Sequence, residues 1–156
     1  MPKKMASGRK GATMEERLPR LRGKKEARPQ RKQRVLIVDD DLNDLLSYSA
    51  ILQHEGYEVR SIASYKEGAD CVDRENFNLV IVSQGTVAFE GRSVLARAFE
   101  RNHGIPIFVL SRSSDIDCYL EAMQMGAFDY REKPLAASEL AEMVARHLHS
   151  STTQAA

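Results

Sequence analysis

The sequence predicts an α/β protein built on a doubly wound sheet of five parallel strands. From Val35 onward, short aliphatic runs alternate with amphipathic stretches, and short loops join them. This alternation is typical of strands and helices that wind over both faces of a parallel sheet. Polar side chains also stand at or just beyond four strand ends, at the edge where such sheets bind ligands; they are Asp39, Ser83, Ser111 and Lys133.

The first half of the pattern predicts two strands and two helices. Residues 35–38 form a continuous aliphatic run, as expected of a central strand that is covered on both faces. Leucines then recur at helical spacing from residue 42, with Asp41 placed to cap this helix and Gly56 to end it. A second strand is predicted over 57–63, and Ser64 and Glu67 have the spacing of a capping box that opens the second helix.

The second half repeats the alternation three times. Strands are predicted over 79–82, 105–110 and 128–131, since each is a short run rich in aliphatic or aromatic residues. Helices are predicted over 92–102, 114–125 and 138–148, and Gly126 stops the second of these. The crossovers between parallel strands are expected to be right-handed.

Charge divides the chain into a basic N-terminal segment and an acidic remainder. Residues 1–34 carry 13 Lys and Arg against 3 Asp and Glu, whereas residues 35–156 carry 10 against 19. Residues 1–33 have almost no aliphatic periodicity, so we predict a disordered basic extension there. The predicted domain covers 34–149, and 150–156 are predicted to be a disordered C-terminal tail.

The composition predicts a soluble protein of the cytoplasm. Cys71 and Cys118 stand alone in helix-like segments, as is typical of reduced thiols. No apolar stretch approaches the ~18 residues that span a bilayer, and the N-terminus lacks the apolar core of a secretory signal.

The basic extension leaves three interpretations open. It is a solvated segment without function, or it binds nucleic-acid phosphates, or it binds an anionic membrane surface. It contains no aromatic residue for base stacking, which argues against a platform for single-stranded nucleic acid.

Three motifs resemble those of a known family. They are the acidic run Asp39-Asp40-Asp41 after the first strand, the strand at 105–110 that leads into Ser111, and the segment 126–134 with its aromatic residue and lysine. In this order and at this spacing, residues from about 34 to 149 resemble the receiver domain of two-component response regulators. The resemblance implies a flavodoxin-like fold with strand order 2-1-3-4-5.

The resemblance also implies a role for each residue of the predicted pocket. Asp39 and Asp40 form an acidic pocket that helps to hold Mg²⁺, a cation that prefers oxygen ligands. Asp40 and the backbone carbonyl of Gly85 are the implied metal ligands. The remaining implied roles fall to Ser111 as switch hydroxyl, Tyr130 as switch aromatic and Lys133 as phosphate lysine.

The position of the phosphoacceptor departs from the family's pattern, because it holds Ser83. The register is set by the apolar run 79–82 and by Gly91, which lies at the family's spacing from the acceptor. A neutral hydroxyl is a weak nucleophile without an adjacent base. The loss of an anionic ligand also predicts that Mg²⁺ binds weakly, and Lys133 is expected to pair with Asp39 or Asp40.

We therefore expect a stand-alone pseudo-receiver that is not an enzyme and that binds signalling proteins without phosphorylation at Ser83. The resemblance implies a histidine kinase, a phosphotransfer protein or another regulator as partner, through the face formed by the fourth helix, fifth strand and fifth helix. Two alternatives stay open. One is a phosphorelay receiver in which Asp39 or Asp40 accepts the phosphoryl group. The other is a phosphatase that resembles haloacid dehalogenases, with Asp39 as nucleophile and Asp41 as acid/base.

Overall fold

The structure is a computed structural model that describes residues 31–155. Within this range, five strands alternate with five helices. The strands are β1 (Arg34–Val38), β2 (Glu58–Ile62), β3 (Leu79–Ser83), β4 (Ile107–Ser111) and β5 (Asp129–Glu132). The helices are α1 (Leu42–His54), α2 (Tyr65–Arg74), α3 (Arg92–Arg101), α4 (Ile116–Gln124) and α5 (Ala137–Ala155). Residues 1–30 of the predicted basic extension, and its predicted contacts, lie outside the described residues.

The strands form one parallel sheet in the order β2-β1-β3-β4-β5, which confirms the predicted fold and strand order. Val38 of β1 pairs with Ile62 of β2 and with Val82 of β3. Ser83 pairs with Leu110 of β4. Because all these pairs are parallel, the carboxyl ends of the described strands reach the same edge of the sheet.

The two faces of the sheet bury separate sets of side chains, because successive residues of a strand point to opposite faces. In β1, Leu36 and Val38 pack against α2, α3 and α4, whereas Val35 and Ile37 pack against α1 and α5. Every residue of β3 and β4 is buried. Burial on both faces explains why these strands are apolar up to their final serines.

Side-chain caps set the starts of the first two helices. The Asp41 carboxylate accepts hydrogen bonds from the backbone N–H groups of Asn43 and Asp44. The Ser64 hydroxyl likewise accepts from the backbone N–H of Glu67 at the start of α2. Both caps lie where the sequence predicts them.

The sequence predicts the end of α1 well but places the end of α5 too early. Gly56, with a φ of +101°, follows α1 in a conformation that glycine adopts readily. The last helix, predicted to end at residue 148, runs to Ala155 because no glycine or proline stops it. The backbone of the predicted C-terminal tail is therefore helical up to residue 155. Within residues 31–155, no helix is both long and apolar enough to cross a membrane.

Candidate functional site

Polar residues from four strand ends meet at the carboxyl edge of the sheet. Asp39 follows β1 and Lys133 follows β5, whereas Ser83 and Ser111 are the last residues of β3 and β4. Their exposed fractions are only 1% for Asp39, 7% for Lys133, 5% for Ser83 and 1% for Ser111. Buried polar groups are costly unless they are hydrogen-bonded, so their partners decide what this pocket can do.

The ammonium group of Lys133 lies between two carboxylates. Its Nζ donates hydrogen bonds to Asp39 Oδ2 and to Asp44 Oδ2, both at 2.8 Å. Burial lowers the pKa of Lys133, but the hydrogen bonds to both carboxylates outweigh burial and hold this pKa above its ordinary value. The backbone N–H of Lys133 donates to the Ser111 carbonyl oxygen at 2.8 Å, which fixes the root of the side chain. Lys133 is therefore charged and already has its counter-ions.

Asp39 is the more deeply buried of these two carboxylates, with 2% of its side chain exposed against 16% for Asp44. Its Oδ2 faces Lys133, and its Oδ1 accepts from the backbone N–H of Asp41 at 3.0 Å. Burial raises the pKa of Asp39 in spite of these bonds. Both oxygens of this carboxylate thus have partners within the protein.

Asp44 connects this pocket to a second cation. Its Oδ2 also accepts from the Arg112 guanidinium group at 2.5 Å, and Arg112 lies 3.3 Å from Asp41 Oδ2. Asp44 is the largest cause of the raised pKa of Arg112. Alternating charges therefore run from Asp39 through Lys133 and Asp44 to the loop after β4.

Ser83 places a buried hydroxyl in the middle of this edge. The loop after β3 returns closely against it, since a Cβ atom on Gly91 would overlap the Ser83 carbonyl oxygen. Only glycine permits this close approach of two backbones. The Ser83 side chain lies near the phenol of Tyr65, whose pKa it lowers.

Tyr65, the first residue of α2, is hydrogen-bonded to Asp40 and lies near Ser83. Its hydroxyl donates to Asp40 Oδ1 at 3.2 Å. Burial is the largest cause of the raised pKa of Tyr65; the charges of Asp40 and Asp39 add to it, and Ser83 opposes it. Tyr65 is therefore a neutral phenol, and Asp40 beside it is exposed.

The loop after β3 is held by its own side chains. Glu90 accepts from the backbone N–H of Thr86 at 2.7 Å and from its hydroxyl at 2.9 Å. Gly85 has a φ of +89°, and a Cβ atom there would overlap the Glu90 carboxylate. The Glu90 carboxylate thus lies over Gly85.

The two predicted switch residues have different partners. The Ser111 hydroxyl accepts from the backbone N–H of Ser113 at 3.1 Å and lies 3.3 Å from the Ser113 hydroxyl. The Tyr130 hydroxyl donates to Gln84 Oε1 at 2.5 Å and lies 3.4 Å from the Asp115 carbonyl oxygen. Tyr130 is thus connected to the residue that follows Ser83.

A family comparison identifies this arrangement. Residues 35–145 match the family described as response regulator receiver domain. The chain belongs to this family. It is a receiver domain of the kind found in two-component signalling, and such domains are signalling modules that are generally not enzymes.

The curated relatives of this receiver include larger regulators. It is 33% identical over 116 residues to the response regulator protein FleR of Pseudomonas aeruginosa. This match covers 73% of this chain and 24% of FleR. It is 29% identical over 119 residues to the transcriptional regulatory protein ZraR of Escherichia coli strain K12. This match covers 74% of this chain and 27% of ZraR. The chain spans about a quarter of the length of these relatives.

Solved structures agree with the fold of this receiver. A CheY-like receiver domain protein from Methanospirillum hungatei JF-1 matches with a TM-score of 0.72 at 29% identity, covering 80% of this chain and 99% of that chain. A response regulator protein from Burkholderia pseudomallei, solved with a phosphorylated aspartic acid, a calcium ion and citrate, has a TM-score of 0.65 at 23% identity. This match covers 80% of this chain and 72% of that chain. At this identity, the likeness shows the fold alone.

The oxygen donors of this receiver fit a divalent cation poorly, although receiver domains commonly bind Mg²⁺ or Ca²⁺ at the acceptor site. Asp39 has both carboxylate oxygens bonded within the protein, and Asp40 accepts from Tyr65. Ser83 offers a neutral hydroxyl, which binds a divalent cation less strongly than an anionic oxygen does. The Gly85 carbonyl oxygen, the other implied ligand, is neutral as well. Within residues 31–155, no cluster of three or more His, Cys, Asp or Glu side chains could hold a metal ion.

Four residues of the pocket were not among the residues that the sequence motifs single out: Asp44, Tyr65, Gln84 and Arg112. The sequence does carry a weak signal for Gln84, which is a second polar residue directly after Ser83 at the end of the apolar run 79–82. Asp44 lies in the first turn of α1 and Arg112 directly after β4, so both are near the correct edge. Sequence position shows this proximity but does not show the direction in which these side chains point.

Proposed function

We propose that this receiver is a cytoplasmic pseudo-receiver that binds signalling proteins without being phosphorylated. The observation that carries the proposal is the buried Ser83 hydroxyl, which we assign to the family's acceptor position from the run 79–82 and the spacing to Gly91. A carboxylate is ionised at pH 7, whereas a hydroxyl needs an adjacent base before it attacks a phosphoryl donor. The phenol of Tyr65 beside Ser83 has a raised pKa and stays protonated, so it supplies no such base.

The state of Lys133 supports the same proposal. Its side chain is 3% exposed, and its ammonium group is already bound by Asp39 and Asp44. A phosphoryl group in this pocket would have to displace one of these carboxylates before it could bind the lysine. In this arrangement the lysine has its counter-ions without any phosphate.

The other carboxylates are less suited to accept a phosphoryl group. Asp39 is buried and bonded at both oxygens. Asp40 is exposed and accepts from Tyr65, and no residue described beside it takes the place of Lys133. The phosphatase alternative gains no support either, because the Asp41 carboxylate caps α1.

We propose that partners bind to the α4–β5–α5 face, by which we mean the surface around Ile116, Tyr119, Leu120, Phe128 and Tyr130. Ile116, Leu120 and Phe128 are 64%, 50% and 56% exposed. Exposed apolar side chains gain free energy when a partner buries them. Receiver domains interact with histidine kinases and other signalling proteins, so we propose a kinase, a phosphotransfer protein or another regulator as the partner.

A binding measurement with matched variants tests this proposal. A partner captured by pull-down is purified, and its affinity is measured with and without acetyl phosphate and Mg²⁺. We expect the same affinity in both conditions and about a ten-fold loss, or about 1.4 kcal/mol, for Ile116→Glu. Leu42→Glu is the control, because Leu42 is 60% exposed but lies on α1. Binding that requires acetyl phosphate, or an equal loss in both variants, would contradict the proposal.

A further inference from the structure

Gln84 and Tyr130 join two segments that are 46 residues apart in the sequence. The Tyr130 hydroxyl donates to Gln84 Oε1 at 2.5 Å, and Gln84 Nε2 donates to the Thr86 carbonyl oxygen at 3.0 Å. Gln84 is 0% exposed. A buried amide is tolerated when its polar atoms have partners, and Tyr130 is the partner of its oxygen.

The backbone of Gln84 is also fixed. Its N–H donates to the Leu110 carbonyl oxygen of β4 at 2.7 Å, and its carbonyl oxygen accepts from the Gly91 N–H at 3.1 Å. Gln84 cannot follow a movement of Tyr130 without breaking contacts with β4 and with its own loop. It therefore acts as a rigid anchor for the tyrosine.

Tyr130 in turn contacts α4 and the residue that caps it. Its ring packs edge-on against Tyr119 at a centroid distance of 5.6 Å, and its hydroxyl lies 3.4 Å from the carbonyl oxygen of Asp115. Arg92 of α3 holds α4 from the other side, through two hydrogen bonds to Glu121 at 2.5 and 2.9 Å. The position of Tyr130 thus affects the surface that α4 and β5 present.

We propose that Gln84 is an internal latch that keeps Tyr130 turned inward and so fixes the α4–β5–α5 face in one shape without phosphate. This inference rests on the proposed function, since it names the contact that would make binding independent of phosphorylation. If Tyr130 turned outward, Gln84 Oε1 would remain buried without its partner. The loss of one buried hydrogen bond changes the balance between two conformations by about ten-fold.

The test uses the full chain labelled with 3-fluorotyrosine and fluorine NMR. The sequence contains five tyrosines, and Tyr130→Phe identifies the Tyr130 signal. In the unchanged protein, we expect one Tyr130 signal that does not move when Mg²⁺ and beryllofluoride are added. Gln84→Met removes the latch but keeps the size of the side chain, so the outward population of Tyr130 should rise about ten-fold and shift its signal. Gln53→Met on the exposed surface of α1 is the control and should leave the signal in place.

Two results would overturn the latch. One is a Tyr130 signal in Gln84→Met that equals that of the unchanged protein. The other is a signal in the unchanged protein that is doubled, or that moves with beryllofluoride, and this readout does not depend on the folding of Gln84→Met. Phosphoryl transfer is measured separately by intact mass. An adduct on the unchanged protein refutes the proposed function, whereas an unchanged Tyr130 signal in Gln84→Met refutes the latch, so the two failures are distinguishable.

Discussion

Removal of the Lys133 ammonium group should destabilise this receiver more than any exposed lysine does. Lys133→Met keeps an unbranched side chain one atom shorter than lysine, but leaves Asp39 and Asp44 without the cation between them. Asp44 retains Arg112, whereas Asp39 is buried and has no other cation among its described partners. The uncompensated charge of Asp39 should therefore dominate the effect.

The expected size follows from this burial. Removal of one partner from a buried ion pair costs about 3–5 kcal/mol, and the retained Arg112 contact places this variant near the lower end. With a urea slope of about 1.5 kcal/mol per M, a loss of about 3 kcal/mol lowers the unfolding midpoint by about 2 M. Lys66→Met is the matched control, because Lys66 is 86% exposed and pairs with Asp70 at 3.9 Å. It should change the free energy of unfolding by less than about 0.5 kcal/mol.

The pH dependence of this difference identifies its cause. Burial already raises the pKa of Asp39, and loss of Lys133 should raise it further. The folded variant then binds a proton more readily than the unfolded chain, so acidification from pH 7 to about pH 5 should reduce its stability deficit. Asp39→Asn in the Lys133→Met background should recover most of the deficit at pH 7. A deficit below about 1 kcal/mol, or one that neither acid nor Asp39→Asn relieves, would refute the assigned role of Lys133.

Two further predictions concern the same edge of the sheet. Gly91→Ala should lower the free energy of unfolding by about 1–3 kcal/mol, because its Cβ atom would overlap the Ser83 carbonyl oxygen; Gly104→Ala, which has only an ordinary contact nearby, is the control in urea unfolding. The raised pKa of Lys133 stabilises the folded state below the ordinary lysine value of 10.5, and this contribution is lost as pH rises through the folded value. The free energies of unfolding of the unchanged protein and of Lys133→Met should therefore converge as the pH rises through this value. A difference between them that stays constant with pH would argue against the shift.

The sequence predicts most of this fold because the sheet imposes a simple pattern. The run 79–82 of β3 is buried on both faces and is therefore apolar throughout, and the caps at Asp41 and Ser64 mark helix starts by their chemistry. Parallel strands also bring residues after each strand end to one edge, which places Ser83 and Lys133 together. These relations depend on topology and hold without knowledge of any rotamer.

The partners of Lys133 and Tyr130 could not be predicted in the same way. The sequence favoured Asp39 or Asp40 as partner of the lysine, and the structure pairs it with Asp39 and Asp44. Asp40 instead accepts from a tyrosine of α2, and the direction of Asp44 depends on how the first turn of α1 lies relative to β5. The contact between Gln84 and Tyr130 likewise depends on the path of the loop after β3 and on the direction of the Tyr130 side chain on β5. The spacing of residues in the sequence encodes neither.

The most direct measurement is the intact mass of the protein after treatment with acetyl phosphate and Mg²⁺. The unchanged protein should gain no phosphoryl adduct, because Ser83 is neutral and Asp39 is committed to Lys133. Ser83→Asp places a carboxylate at the same edge of the sheet as this lysine and should gain an adduct that hydroxylamine removes, which shows that the donor is active. A hydroxylamine-sensitive adduct on the unchanged protein would contradict the assignment of this chain as a receiver that works without phosphorylation.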